Sequence, residues 1–165
     1  MNWKLNGFDL QMCAINLPEN PETSKATVGK DYTLYINTGT LDIPIWTRVG
    51  GQRNSPFNQT GDTIDVSHKS SGGYKAMLTG LKGWSISLDA LAMLDDPGLE
   101  ALEYAYDYTK QVNIKFERPD GKYRTGWASV TEFSIDPPHD GAAAISGNLE
   151  GVGKPSDWTE PVTGY

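Results

Sequence analysis

The chain has 165 residues, of which 38% are hydrophobic and 21% are charged, and its formal net charge is −7 at pH 7. This length fits one domain with a core of its own, and the hydrophobic content is too high for a disordered chain. The acidic balance disfavours nonspecific binding to DNA or to anionic lipid, and a single cysteine, Cys13, excludes an intrachain disulfide framework.

Eighteen glycines and ten prolines favour many turns and short strands over a helical bundle. The chain contains no stretch close to the roughly 20 apolar residues of a membrane span. Its first residues also lack the basic and then apolar order of a secretory signal. We therefore expect a mainly β protein that has no membrane contact and that stays in a cytoplasm.

Residues 1–28 are predicted to form an extended N-terminal arm, because Pro18 and Pro21 suit a core element poorly. The first half of this arm is rich in large apolar side chains. We expect it to dock on the core or on another subunit, through Trp3, Phe8 and Ile15.

Residues 32–37 and 84–89 alternate apolar and polar side chains, a pattern that predicts two half-buried strands. Between them, residues 50–73 are polar and interrupted by glycines. A loop of this length in a compact domain is usually functional or disordered. Because nothing in it looks catalytic, we interpret it as a limb that binds a partner.

Asp96 and Pro97 are typical of the start of a helix, and apolar residues follow at spacings of three and four. This pattern predicts one helix over residues 97–110. Alternation then predicts a strand over residues 112–117, and turn residues at 118–122 predict a hairpin.

Two further strands complete the predicted domain of residues 29–153. The first covers residues 123–135, with Gly126 as a candidate bulge, and the second covers residues 142–152. The C-terminal arm, residues 154–165, contains Trp158 and looks irregular. No internal repeat or second domain is indicated.

The sequence contains few residues that could form a catalytic or metal-binding site. His68 and His139 lie far apart with no cluster at metal-ligand spacing, and Cys13 has no neighbouring histidine. Motifs for serine hydrolases, phosphate loops and dinucleotides are absent. We therefore expect no enzymatic activity, no metal and no cofactor.

The aromatic residues leave one alternative open, a carbohydrate-binding β-sandwich module, in which exposed rings form a sugar platform. Against this alternative, most rings lie at positions with core parity. Core packing is the preferred interpretation for Trp46, Trp84 and Trp127.

The ordered set of short motifs resembles the major tail tube proteins of long-tailed, siphovirus-type bacteriophages, over about residues 29–153. The motifs are GKDY at 29–32, WTRVGG at 46–51, IDVSHKSSGGY at 64–74, LKGWSISLD at 81–89, LEAL at 99–102, FERPDG at 116–121 and ISGNLEG at 145–151. The resemblance implies an antiparallel β-sandwich or half-barrel of two sheets, flanked by one α-helix.

The resemblance also implies a function. The chain would be a structural virion protein, assembled in the host cytoplasm, whose hexameric rings stack into the hollow tail tube. DNA would pass through the lumen without specific binding. The implied partners are other copies of the chain and further tail proteins, namely tape measure, tail tip and terminator.

Three groups of contact residues are predicted from this resemblance and from the strand parity. The loop over residues 50–73 would reach the adjacent ring through Arg53, Asn54, Phe57 and Lys69. The arms would contact other subunits through Trp3, Phe8, Ile15 and Trp158. Glu117 and Glu132 are candidate lumen acids, because their parity opposes the apolar residues of their own strands.

Overall fold

The computed structural model describes residues 29–161. The strands are β1 (Thr33–Asn37), β2 (Trp46–Arg48), β3 (Gln52–Asn54), β4 (Phe57–Asp65), β5 (Met77–Leu91), β6 (Gln111–Glu117), β7 (Tyr123–Asp136) and β8 (Ala144–Val152). One α-helix, α1 (Pro97–Asp107), lies between β5 and β6, and a short 3-10 helix covers Gly29–Asp31.

The eight strands form a single antiparallel sheet. Its order is β2-β1-β6-β7-β8-β5-β3, and β4 pairs with β5 outside this path. The predicted half-barrel with one flanking helix is confirmed, with one difference: the strands belong to one curled, continuous sheet and not to two separate sheets.

The core covers one face of this sheet. In β1 and β6, buried residues alternate with partly exposed ones, as expected for strands with one face packed and one face solvated. Leu34, Ile36, Ile86, Ile114 and Leu149 are fully or almost fully buried on the packed face. The alternation that predicted these strands therefore identified the core face.

Gln52 links the two ends of the curled sheet. The Leu34 N–H donates to Gln52 Oε1 over 3.0 Å, and Gln52 Nε2 donates to the Leu34 carbonyl over 2.8 Å and to the Val49 carbonyl over 2.7 Å. The side-chain amide thus takes the place of a neighbouring strand beside β1. These bonds hold β3 close to β1.

Helix α1 begins as predicted. The Asp96 carboxylate accepts from the Leu99 N–H over 2.8 Å and from the Gly50 N–H over 3.2 Å, so one cap serves both the helix and the loop after β2. The helix ends at Asp107, before the predicted residue 110, because Thr109 has a positive φ of 52°.

The predicted bulge at Gly126 is wrong. Gly126 pairs regularly with Ile114, and the shift in register lies between Val130 and Glu132. Gly126 is instead required by packing, because a Cβ there would lie 2.7 Å from Cζ2 of Trp84.

Candidate assembly surfaces

Strands β4 and β5 form a hairpin that extends beyond the rest of the sheet. They pair from Phe57 opposite Ile86 out to Asp65 opposite Met77, whereas β8 pairs with β5 only from Ser85 onward. Residues 61–82 are therefore a two-stranded extension with its turn, which we call the ribbon. The prediction of a loop over residues 50–73 is wrong for its first part, which contains β3 and β4, whereas residues 66–73 lie outside the strands.

The turn of the ribbon is ordered by its own hydrogen bonds. The Ser67 N–H donates to Asp65 Oδ1 over 2.8 Å, and the Ala76 N–H donates to Ser67 Oγ over 2.9 Å. The Ser67 side chain, and secondly its backbone N–H, lower the pKa of Asp65 by stabilising the carboxylate. The turn has a defined shape before any partner is present.

The ribbon exposes several large apolar side chains. Tyr74 is 84% exposed and Leu81 is 83% exposed. Ile64 and Leu78 lie opposite each other across the two strands and are exposed as well. A two-stranded ribbon is marginally stable by itself, and contiguous exposed apolar groups mark interaction sites. The ribbon therefore has the character of a surface that a partner covers.

The predicted stacking residues do not lie together. Lys69 is in the exposed turn of the ribbon. Arg53 and Asn54 are exposed on β3, which pairs with the far end of β5. The full length of β4 separates these two residues from Lys69.

Phe57 requires a correction, because its ring is occupied inside the subunit. The ring stacks on Trp84 at 5.3 Å between centroids and lies 5.6 Å from the Phe116 ring. The Arg124 guanidinium lies 5.2 Å from the same ring. Phe57 packs against the core because it lies opposite Ile86 of β5, whose side chain is fully buried on the packed face. It is therefore not the free apolar anchor that we expected.

Of the four predicted arm residues, only Trp158 lies within residues 29–161, whereas Trp3, Phe8 and Ile15 lie outside the described residues. The Trp158 ring lies 4.4 Å from the Arg124 guanidinium and 5.0 Å from that of Arg118.

The segment that carries Trp158 pairs with β7, through reciprocal bonds between Tyr123 and Thr159. After a turn at Gly153, whose φ is +75°, this segment lies beside β7 on the same side as β8. The described part of this arm is thus bound to its own domain, while the Trp158 ring stays 38% exposed.

The face of the sheet opposite the core is mainly polar and is acidic around β8, whereas Lys115 on β6 and Arg48 on β2 also lie on this face. Asp89, Glu132 and Glu150 are exposed there on β5, β7 and β8. β8 has no lysine or arginine, and none occurs in the parts of β5 and β7 that pair with it. The second candidate acid, Glu117 on β6, forms an ion pair with Lys115 at 2.7 Å.

The strand parity of β7 decides the faces of Trp127 and Arg124. Trp127 was expected in the core but is 42% exposed on the polar face, because its parity on β7 opposes that of buried Ala128. Arg124 has the parity of Ala128 and therefore lies on the core side, against Phe57 and Trp158.

A shallow groove of about 320 Å³ lies between α1 and the loop that joins β1 to β2. Leu41, Ala101, Tyr104 and Trp127 supply much of its apolar lining. The exposed side of α1 beside this groove carries Glu100, Glu103 and Asp107.

Within residues 29–161, no group of three or more His, Cys, Asp or Glu side chains could hold a metal ion. In the same range, no helix has the length and apolar character needed to cross a membrane.

Comparison with known proteins places this geometry in context. A family model described as phage tail tube protein matches residues 26–157. No curated protein matches the chain.

Several solved structures have a similar fold at low sequence identity. The tail of an empty gene transfer agent particle, computed with C6 symmetry, is 22% identical with a TM-score of 0.71, covering 81% of this chain and 99% of that chain. A chain of the native gene transfer agent virion is 23% identical with a TM-score of 0.69, at the same coverage of 81% and 99%. The SPP1 tail tube is 16% identical with a TM-score of 0.66, covering 84% of this chain and 82% of that chain.

Proposed function

The chain belongs to the phage tail tube protein family, and from this membership we propose that its subunits close into hexameric rings that stack into a hollow tube. The role of the family is structural, and we infer that the chain carries no catalytic activity. The similar gene transfer agent tail was computed with C6 symmetry, which supports a six-membered ring here.

The stacking proposal rests mainly on the position and exposed surface of the ribbon. It projects beyond the strand pairing of its own subunit and exposes Tyr74, Leu78 and Leu81. A contact between one end of a ring and the opposite end of the next ring is head-to-tail, and such a contact generates a filament when its rotation does not close into a further ring. We propose that the ribbon makes this contact between rings, with Lys69 in its turn.

The strength of such stacking comes from repetition. Once one ribbon of a ring is bound, the remaining ribbons of the same rigid ring bind at a high effective concentration. Individually weak contacts then give a stable tube, while free subunits remain separate. Arg53 and Asn54 on β3 remain proposed contacts, and Phe57 is left out because it packs within the subunit.

We further propose that the polar face of the sheet lines the lumen. Asp89, Glu132, Asp136 and Glu150 give this face four acids around β8, and the hexamer would repeat them around the channel. Repulsion from such a wall acts on DNA over about 8 Å at physiological salt. A polyanion could then slide without being captured.

The lumen proposal predicts the outcome of a charge reversal. Tubes of the Glu132→Lys/Glu150→Lys variant should still form, because both side chains lie on the solvated face and not in the core. These tubes should bind duplex DNA in a salt-sensitive way, since lysines release condensed counterions from the phosphates. Gel-shift measurements at several salt concentrations check this. Salt-sensitive DNA binding by wild-type tubes would contradict an acidic lumen.

The tube has its place in the virion tail. We propose that it is assembled in the host cytoplasm, and that its ends and lumen contact a tail tip, a terminator and a tape measure protein. Trp158 and the arm residues Trp3, Phe8 and Ile15 remain proposed subunit contacts.

Electron microscopy of the purified protein at rising concentration tests the proposed function. We expect rings with six-fold symmetry and hollow tubes whose length increases with concentration. Protein that remains monomeric at every concentration, with and without added tail tips, would contradict the proposal.

A further inference from the structure

We propose that the ribbon of one subunit binds a surface formed by α1 and the adjoining groove on a second copy of the chain. This inference rests on the proposed stacking role of the ribbon and names the surface that receives it. We call the receiving surface the acceptor. It consists of the exposed side of α1, with Glu100, Glu103 and Asp107, and of the groove lined by Leu41, Tyr104 and Trp127.

The strand directions place the ribbon and the acceptor at opposite ends of the subunit. The antiparallel pairings make β1, β5 and β7 run in one direction. The ribbon includes the start of β5, whereas the groove is lined by Asn37 at the end of β1 and by Gln111 at the start of β6. Copies aligned along the strands would therefore bring the ribbon of one to the acceptor of the next.

Apolar surface is exposed on both sides of the proposed contact. The ribbon exposes Tyr74, Leu78 and Leu81. At the other end, Leu41, Ile43 and Ile45 of the β1–β2 loop are exposed, as is Tyr104 of α1. Burial of both sets in one contact removes apolar area from water in each partner.

The groove also contains an unpaired polar atom. Asn113 lines it, and its buried Oδ1 accepts no hydrogen bond from any residue of the described range. A buried acceptor without a partner is costly and calls for a donor. A lysine ammonium or a backbone N–H from the ribbon of another copy could supply one.

Charge favours the same partner. The ribbon contains three lysines, Lys69, Lys75 and Lys82, and two acids, Asp62 and Asp65, whereas residues 95–107 contain five acids and no lysine or arginine. None of these three lysines, and none of the α1 acids of the acceptor, forms an ion pair within residues 29–161. Lys110 also lines the groove and would repel the lysines of the ribbon. The charges that attract the ribbon are therefore the acids on α1. Complementary charge of this kind sets orientation and register.

A charge exchange tests the pairing through the critical concentration for polymerisation, measured by sedimentation. Glu100→Lys/Glu103→Lys should raise this concentration at least about tenfold, because like charges meet at every ribbon of a ring. Lys69→Glu/Lys75→Glu should do the same. Combination of the four changes should bring the concentration back toward the wild-type value. The matched control for the α1 variant is Glu132→Lys/Glu150→Lys. It changes the net charge by the same amount but lies outside the acceptor, and it should leave the critical concentration unchanged.

Cross-linking provides a second measurement. In a Cys13→Ser background, Lys75→Cys with Glu103→Cys should give cross-linked ladders with a short bismaleimide, and Lys75→Cys with Glu150→Cys should not. If the wild type forms tubes and the Glu100→Lys/Glu103→Lys variant has the same critical concentration, the acceptor is wrong but the tube function is not. Tubes that give no Lys75–Glu103 ladder lead to the same conclusion. A wild-type protein that never associates would overturn both.

Discussion

The inner and outer parts of the β4–β5 hairpin are built from the same two strands but have opposite surroundings. In the inner part, Phe57 stacks on Trp84, which is only 4% exposed and donates through Nε1 to the Gly153 carbonyl over 2.8 Å. In the outer part, the two strands also pair, with a shift in register between Gly61 and Thr63, and Leu81 beside this shift is 83% exposed.

This difference shows that strand pairing and burial are separable within one hairpin. Backbone hydrogen bonds continue along both parts, but only the inner part buries apolar surface inside the subunit. Burial is the dominant favourable term in folding. The inner part therefore stabilises the fold, and the outer part holds its apolar surface for assembly.

The largest effect is expected from removal of the ribbon. Replacement of residues 62–81 by Asn-Gly joins Gly61 to Lys82, which already face each other, through a turn suited to a hairpin. The variant should fold with its core intact and form no tubes. Circular dichroism and electron microscopy measure the two properties.

The extent of this deletion matters. A longer deletion that included Gln52 and Phe57 would remove the link from β3 to β1 and part of the core packing, and would confuse folding with assembly. Tubes formed by the shorter deletion would exclude a stacking role for the ribbon.

A matched pair of truncations should separate the two parts of the hairpin. Trp84→Ala should lower the free energy of unfolding by about 3–5 kcal/mol, because it leaves a cavity in the core. Leu81→Ala, three residues away on the same strand, should change it by less than about 0.5 kcal/mol but weaken polymerisation. Urea denaturation and sedimentation compare the variants, and similar destabilisation by both would contradict a division between inner and outer parts.

Trp84→Phe refines the interpretation of the core result. It keeps an aromatic ring beside Phe57 but removes the donor to the Gly153 carbonyl. The loss of this hydrogen bond should cost about 1 kcal/mol, and the loss of the part of the indole ring that packs on Gly126 and Gly151 should add to that cost. A loss as large as that of Trp84→Ala would show that ring packing contributes little at this site.

The smallest effect concerns pH and the turn of the ribbon. Because the Ser67 side chain and backbone lower the pKa of Asp65, the ionised carboxylate stabilises the turn above the ordinary pKa of 3.8. This stabilisation is lost as the pH falls through the lowered value, so the turn should loosen only below about pH 4. Faster amide exchange of Ser67 at that pH, relative to the intrinsic rate, reports it. Asp65→Ala should remove the transition, and Asp62→Ala should keep it.

Local patterns predicted much of the architecture. Alternation identified the strands at Thr33–Asn37 and Gln111–Glu117, and the Asp96 cap with Pro97 fixed the start of α1. These features depend on neighbours in the chain, so the sequence is sufficient to specify them. The ribbon was not predicted, because residues 77–83 do not pack against the core and therefore show no alternation of apolar and polar side chains.

The sequence by itself therefore determined the β class, the helix start, the core face of the central strands and the family motifs. Only the tertiary structure decided that Phe57 packs inside while Leu81 remains outside, and that Asp89, Glu132 and Glu150 share one face without lysine or arginine around β8. The physical reason is that periodicity specifies which side of a strand is apolar. Sheet curvature and strand pairing decide what that side meets.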